Sequence, residues 1–390
     1  MNDKIRVVHH SKSIGYSGTD RSAQLMCKYL KQREDCPYEP FLVYRVDPQH
    51  PDAGKERLEI VKEWLGEDHV IPYHWVPGKQ THQSPFMPAE DNLYEVLAEI
   101  DPVIVHLHRS GYAEWPGFRY MAPRAKFVET NIFGYVDQSP ERQIDLNIYI
   151  SEFIARLASK AGSPDGGILY NPIEIPARDM TEANKLFCRN RLINRFNLPQ
   201  DAIILGRVGR ADNFDPISLN AFKRVQEEFT NAYYLVVNPC DHWRRHTDRL
   251  GLKNVRFLDP IVDDLELSDF YRGLDIYAHA RSDGECCPCN IQEAMMHNIP
   301  VVSHESAAFN GQSEIIGDGG FCVPIGDAQN YAEVLIGLCA NEPIADIDEV
   351  VKPIREVFGR QARRRAMRYF EASYVVYKLI QMYDYVMEKK

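Results

Sequence analysis

The chain has 390 residues, 44% of them hydrophobic and 26% charged. That balance excludes a disordered or fibrous chain, and the length exceeds one typical core, so two or three domains are expected. Forty-five Lys and Arg against 56 Asp and Glu leave a net charge of −11, which argues against a general nucleic-acid binder, whose affinity comes from neutralising phosphates. Room remains for a local cationic pocket around one phosphorylated small molecule.

No stretch approaches the roughly 20 consecutive apolar residues that cross a bilayer. The apolar segment at residues 5–8 is too short for a secretory leader. Nine scattered cysteines, an odd number, read as reduced thiols rather than a disulfide framework. A cytoplasmic location is expected, with or without peripheral contact at a membrane surface.

In chain order, IRVVHH (5–10) is a first strand, followed by a Gly- and Ser-containing loop and a helix over about 20–33. FLVYRV (41–46), PVIVHLH (102–108), KFVETN (126–131) and LNIYIS (146–151) are further strands, the last leading into a helix capped by Ser151. ILYNPIEIP (168–176), with two prolines, marks the best domain boundary. A second set begins with AIILGRVGR (202–210) and continues with AYYLVVN (232–238), NVRFLD (254–259), DIYAHA (275–280) and IPVVSH (299–304). In the final segment Val375, Leu379, Met382 and Val386 recur at helical spacing. Strands alternating with helices imply parallel α/β layers. Two such domains in sequence place a ligand crevice at the carboxyl ends of their strands.

The stretch SDGECCPCNIQEAMMHNIPVVSHESAAFNGQSEIIGDGGFCVP (282–324) is the most informative. Glu285 falls in a loop after a strand, and Glu293 eight residues later on a helix beginning near Asn290. The unpaired N–H groups of that helix's amino end suit an anion. A carboxylate one turn into the helix can accept from a ribose diol, and one in the loop above it from another polyol. Together they describe a sugar–diphosphate–nucleoside ligand.

E-x7-E, followed by A-M, P-V-V-S, a Gly–Gln–Ser–Glu turn and G-x-x-V-P, resembles the donor site of family 4 glycosyltransferases. GRVGR (206–210) resembles that family's phosphate-loop strand, ILYNPIEI (168–175) its interdomain linker, and IRVVHHSKSIGYSGTDRSAQLMCKYL its opening strand, glycine loop and first helix. The resemblance covers nearly the whole chain. It implies the GT-B fold: two Rossmann-like α/β domains facing across a cleft, with a C-terminal helix crossing back to the first. The corresponding limits are 1–175 for the acceptor-side domain, 176–370 for the donor domain and 371–390 for the crossing helix.

The resemblance further implies a retaining, metal-independent transferase that uses a UDP- or GDP-linked sugar as co-substrate, with no resident cofactor. The acceptor would be a glycan, a lipid-linked sugar or a small hydroxylated metabolite. Carried over residue by residue, Glu293 holds the donor ribose and Glu285 the transferred sugar. Arg210 pairs with the diphosphate, and Gly18 and Thr19 approach it through their backbone. Backbone N–H groups from Cys286 through Cys287, Pro288 and Cys289 to Asn290 complete the cradle, less the proline, which has none. His108 matches the first-domain histidine that faces the reacting sugar. One departure stands out: the lysine usually found a few residues after the arginine is missing from GRADNFDPISLNAF. Asn213 offers only a neutral donor, and Lys12, Arg21 and Arg281 are the candidate replacements.

Plainer readings stand beside these. Cys286, Cys287 and Cys289 lack the usual paired spacing of a zinc site and read as packed thiols. Of His106 and His108, one is expected in the crevice and the other under a helix, with His108 in the crevice. Glu314 is expected to cap the helix that follows it. Arg363, Arg364 and Arg365 read as a solvated helical face, or else as a membrane-surface contact. Trp75 and Phe86 are candidates for stacking on an acceptor sugar. The rival functions are a catalytically silent nucleotide-sugar-binding scaffold and another GT-B enzyme, such as a nucleotide-sugar epimerase or a phosphorylase.

Overall fold

The computed structural model describes residues 4–46, 50–74, 92–109, 122–136, 144–163, 166–346 and 348–389. It divides into two compact units, Met1–Pro172 with Ala372–Lys390, and Ile173–Glu371. Trp75 and Phe86 lie outside the described residues.

In the first unit the strands are β1 (Ile5–Ser11), β2 (Tyr38–Val46), β3 (Val70–His74), β4 (Ile104–Arg109), β5 (Lys126–Asn131), β6 (Leu146–Tyr149) and β7 (Gly167–Ile168). They form one sheet in the order β3-β2-β1-β4-β5-β6-β7, every pair parallel. The helices are α1 (Gly18–Gln32), α2 (Lys55–Leu65), α3 (Leu93–Ile100) and α4 (Glu152–Lys160). The strand order reverses at β1, which pairs with both β2 and β4 and puts Val7 beside Ile104 and His9 beside His106. Side chains alternate across a strand, and the two faces bury different partners. Val8, Val105, Leu107 and Phe127 pack on Leu93, Val96, Leu97 and Ile100 of α3. Val7, Ile104, Val128 and Ile148 pack instead on α1 and on Val375, Leu379, Tyr383 and Val386 near the chain's end.

The second unit contains β8 (Ile203–Arg207), β9 (Ala232–Val237), β10 (Val255–Leu258), β11 (Ile276–Ala278), β12 (Gly284–Glu285), β13 (Val301–His304), β14 (Phe309–Asn310), β15 (Gly320–Val323), β16 (Pro343–Ala345) and β17 (Val351–Pro353). Six of them make a parallel sheet in the order β10-β9-β8-β11-β13-β15, and β12 with β14 forms a short parallel ladder. The helices are α5 (Glu182–Phe196), α6 (Ile217–Glu228), α7 (Asp241–Leu250), α8 (Asp264–Gly273), α9 (Cys289–Met296), α10 (Gly311–Ile316), α11 (Ala328–Ala340) and α12 (Ile354–Tyr369). The last helix, α13 (Ala372–Glu388), belongs to the first unit. Ile173 and Glu371, beside the two points where the chain passes between units, form a parallel bridge.

The core of the second unit lies between β8, β9, β11 and β13 and the apolar faces of α6 and α11, around Phe222, Tyr234, Trp243 and Leu335. No described helix is long and apolar enough to cross a membrane. All nine cysteines are free.

Candidate active site

The loop that follows β8 is held by groups from three neighbouring elements. Arg207, fully buried at the strand's end, donates to the Asn213 carbonyl at 2.7 Å and stacks 4.8 Å from the Trp243 ring. Trp243 donates to the same carbonyl at 2.9 Å. Tyr277, on β11, donates to the Val208 carbonyl at 2.9 Å and accepts from the Val208 N–H. Asn290, in the first turn of α9, donates to that carbonyl at 2.8 Å. Each bond satisfies a backbone group that the strand ladder leaves open, and together they fix the phosphate-loop segment beside the amino end of α9. The Asn213 side chain is buried within the loop.

Arg210 stands at the outer edge of this loop, its side chain 63% exposed and paired with Asp212 through Nε and Nη2. Hydrogen bonding to Asp212 raises the guanidinium pKa and lowers that of the Asp212 carboxyl.

Glu285 is 9% exposed, and both carboxylate oxygens are engaged. His279 Nε2 lies 3.1 Å from Oε1, and Arg281 Nη1 donates to Oε2 at 2.9 Å. Burial alone would raise this carboxyl's pKa; the His279 hydrogen bond and the Arg281 charge outweigh it and hold the group below its usual range. Burial lowers the pKa of His279, so the neutral ring donates through Nε2 while Nδ1 accepts from Ser303 at 3.1 Å. Arg281 also forks onto Asp283 at 2.6 and 2.8 Å. Its charge reaches Arg210 and Asp212 as well, so both arginines act on one region.

The Glu285 backbone N–H donates to Gln312, which donates in turn to the His304 carbonyl. Gly284 takes φ +72, and a Cβ there would meet the Phe309 carbonyl at 1.8 Å; only glycine fits. Glu293, partly exposed on α9, accepts from the Tyr271 hydroxyl at 2.8 Å.

Cys286 and Cys287 are buried and Cys289 is half-buried, as packed thiols would be. Glu314 lies within the short helix α10 rather than capping a following one. In the basic run, Arg363 donates to the Met296 carbonyl and Arg365 to the Glu314 and Ile315 carbonyls, and Arg364 pairs with Asp318. Two of the three are spent on the fold, which corrects the expectation of a solvated face.

In the first unit, Gly18 and Thr19 open α1. Its amino end is met by Asp20, which accepts from the hydroxyls of Ser11, Ser13 and Ser17 at 2.9, 2.9 and 2.7 Å. Ser17 is also the N-cap and accepts from the Asp20 N–H. The positive end of this helix therefore already faces a buried carboxylate, which opposes a phosphate placed against it.

His108 is the penultimate residue of β4 and is 2% exposed. Contrary to expectation, it shares a face with His106: residues two apart on a strand point the same way, and the rings stack at 4.3 Å. His9 Nδ1 lies 3.0 Å from His108 Nε2. Nitrogens of the three histidines fall within 4.8 Å of one another, a set that could hold a metal. His9 and His106, however, already use both ring nitrogens in hydrogen bonds, which leaves them no free lone pair for an ion. Sequence reasoning missed His279. Its signal is the spacing H-x-R-x-x-x-E, which brings two donors back onto the first glutamate.

Residues 199–341 match the family described as Glycosyl transferases group 1. A phosphatidyl-myo-inositol mannosyltransferase of Mycobacterium leprae is 27% identical over 264 residues. That match covers 67% of this chain and 64% of the relative, just under two thirds of its length. A glycosyltransferase from Rickettsia africae has a TM-score of 0.73 at 15% identity, over 100% of both chains. Anabaena Alr3699/HepE, in complex with UDP and glucose, gives 0.71 at 16%, over 97% of this chain and 99% of that one. The pneumococcal O-GlcNAc transferase GtfA, in complex with UDP and GlcNAc, gives 0.68 at 10%, over 99% and 100%. At these identities the structural likeness is one of fold. Residues 199–341 are thus similar to the group 1 glycosyltransferases, and the whole chain has the two-domain α/β fold of the GT-B glycosyltransferase structures.

Proposed function

We propose that this protein is a retaining glycosyltransferase that holds a nucleoside-diphosphate sugar at the carboxyl end of the second unit's sheet and passes the sugar to a hydroxyl acceptor. The observation that carries the reading is the clasp of Glu285 between His279 and Arg281, beside Arg210 and the amino end of α9. An ionised carboxylate fixed this way is a preorganised acceptor for sugar hydroxyls. Glu293, steadied by Tyr271, takes the ribose diol, and the positive amino end of α9 faces the diphosphate. Arg210 and Arg281 supply the two cations, so Arg281 stands where the family's lysine is missing. The UDP held by the HepE and GtfA complexes supports a uridine nucleotide as the first donor to try.

In the reaction the acceptor oxygen bonds to the anomeric carbon as the bond from that carbon to the diphosphate oxygen breaks. The acceptor's proton passes to the departing phosphate on the same face. The protein's share is positioning and charge stabilisation, and no step in this scheme calls on a metal. The acceptor is a hydroxyl of a glycan, a lipid-linked sugar or a small metabolite.

A catalytically silent binder is the second reading, favoured by Arg210 being already paired with Asp212 and by the missing lysine. A thermal-shift panel of UDP, GDP, ADP and their common sugars tests binding, since a ligand of the folded state raises its melting point. Release of free nucleoside diphosphate from the stabilising sugar then separates enzyme from binder. A flat panel contradicts both readings.

A further inference from the structure

The three histidines of the first unit belong to an unbranched chain of hydrogen bonds. Thr130 Oγ1 lies 2.7 Å from His106 Nε2, and His106 Nδ1 lies 2.7 Å from the Tyr383 hydroxyl. That hydroxyl is 3.1 Å from His9 Nε2, and His9 Nδ1 is 3.0 Å from His108 Nε2. The remaining nitrogen, His108 Nδ1, is buried and has no hydrogen-bond partner among the described residues. Every member is at most 3% exposed. Burial holds the pKa of all three imidazoles far below the usual range, that of His108 at about 3, so the rings are neutral.

A neutral imidazole donates through one nitrogen and accepts through the other, and a tyrosine hydroxyl between two rings gives one bond and takes one. The protons along such a chain must therefore all point the same way. If they run from His108 toward Thr130, the Thr130 hydroxyl hydrogen is left without an acceptor, because His106 is its one partner among the described residues. The open nitrogen of His108 then also lacks a donor. If they run from Thr130 toward His108, every internal group is satisfied and a single N–H is left over, at His108 Nδ1. Burying one unmet polar group costs less than burying two.

We propose that Tyr383 and His9 are positioning residues that hold His108 as its Nδ1-protonated tautomer, so that its one open nitrogen is a hydrogen-bond donor to substrate and not a base. All three rings then carry the proton on Nδ1, the less common form of free histidine. His108 lies one residue before the end of β4, at the sheet's carboxyl edge, where ligands of doubly wound sheets bind. The leftover N–H there finds its acceptor in a substrate oxygen, a sugar hydroxyl being the chemistry that fits. The C-terminal helix, which carries Tyr383, becomes part of the catalytic apparatus. This inference rests on the proposed glycosyltransferase function and adds to it that His108 meets the substrate.

Long-range proton–nitrogen NMR of the full-length protein reads the tautomers directly. The wild type is expected to show the Nδ1–H pattern for His9, His106 and His108. Tyr383→Phe keeps the packing and cuts the chain, so His9 and His108 should each become a mixture of tautomers. In the same variant kcat should fall by about tenfold, the worth of one misdirected hydrogen bond, with the donor KM unchanged; a loss of packing alone would not move the tautomers. An Nε2–H pattern in the wild type overturns the proposal, as do unaltered tautomers in Tyr383→Phe. Full turnover in Tyr383→Phe with its tautomers mixed also overturns it, provided His108→Ala is slow. If His108→Ala turns over normally as well, the failure lies in placing His108 at the substrate.

Discussion

Glu285 and Glu293, eight residues apart, live in unlike surroundings, and their replacements should fail differently. Glu293 is partly exposed and accepts from the Tyr271 hydroxyl. Glu293→Gln should raise the donor KM by about tenfold, the loss of a charged hydrogen bond, and leave kcat within a few-fold; steady-state kinetics with the donor found by the thermal panel checks it. Arg281 is both the clasp of Glu285 and the proposed second diphosphate cation. Arg281→Ala should lower kcat by about 10²–10³, the range for removing one donor to a developing oxyanion. It should also lower the melting temperature, because a buried carboxylate loses its charged partner. Arg281→Lys should recover part of both. An Arg281→Ala enzyme with full kcat would remove the arginine from the reaction. The two glutamates and Asn290 were legible because their spacing and flanks are local. The pairing of His108 with His9 was not, since 99 residues separate them, and the partners of Arg281 become visible only once the chain turns back at Gly284.

At the scale of elements, short turns hold the site and long apolar faces hold the fold. Gly284→Ala would press a methyl group onto the Phe309 carbonyl at φ +72, so β12 and β14 must part. Nucleotide-induced stabilisation should vanish while most of the unliganded melting temperature survives, as thermal shift with and without nucleotide would report. Leu379→Ala on α13 empties a fully buried position and should cost about 2–5 kcal/mol, read by urea unfolding. The strong strands were legible from their β-branched runs, and α13 from Val375, Leu379 and Val386 at helical spacing. Others escaped for physical reasons. β2 begins at Tyr38, yet Pro40, which has no N–H, sits inside it opposite Val7 and makes its first residues read as a turn. β15 begins on a glycine, and β7, β12 and β14 have two residues each, too few for a period to show.

For the whole molecule, acid should act through buried neutral histidines. Burial lowers the pKa of His9, His106 and His108, the last to about 3, and that of His297 to about 4. Below about 6.5 the unfolded chain binds protons that the folded chain refuses. The histidine contribution is therefore complete above about 6.5 and is lost as the pH falls toward 4 and 3. Urea midpoints should drop steadily from pH 7 to pH 5, before most carboxylates titrate; constant midpoints over that interval would mean the rings take up protons in the fold as readily as in the unfolded chain.

The net charge of −11 keeps polyanions away from the surface as a whole, so nucleotide affinity must be local. Hydrogen–deuterium exchange of the intact protein, with and without the nucleoside diphosphate that stabilises it most, locates that affinity. Slower exchange confined to 207–213, 281–296 and their contacts is the expected map. Protection elsewhere, or none at saturating nucleotide, would contradict a donor site at the carboxyl end of β8 and α9's amino end.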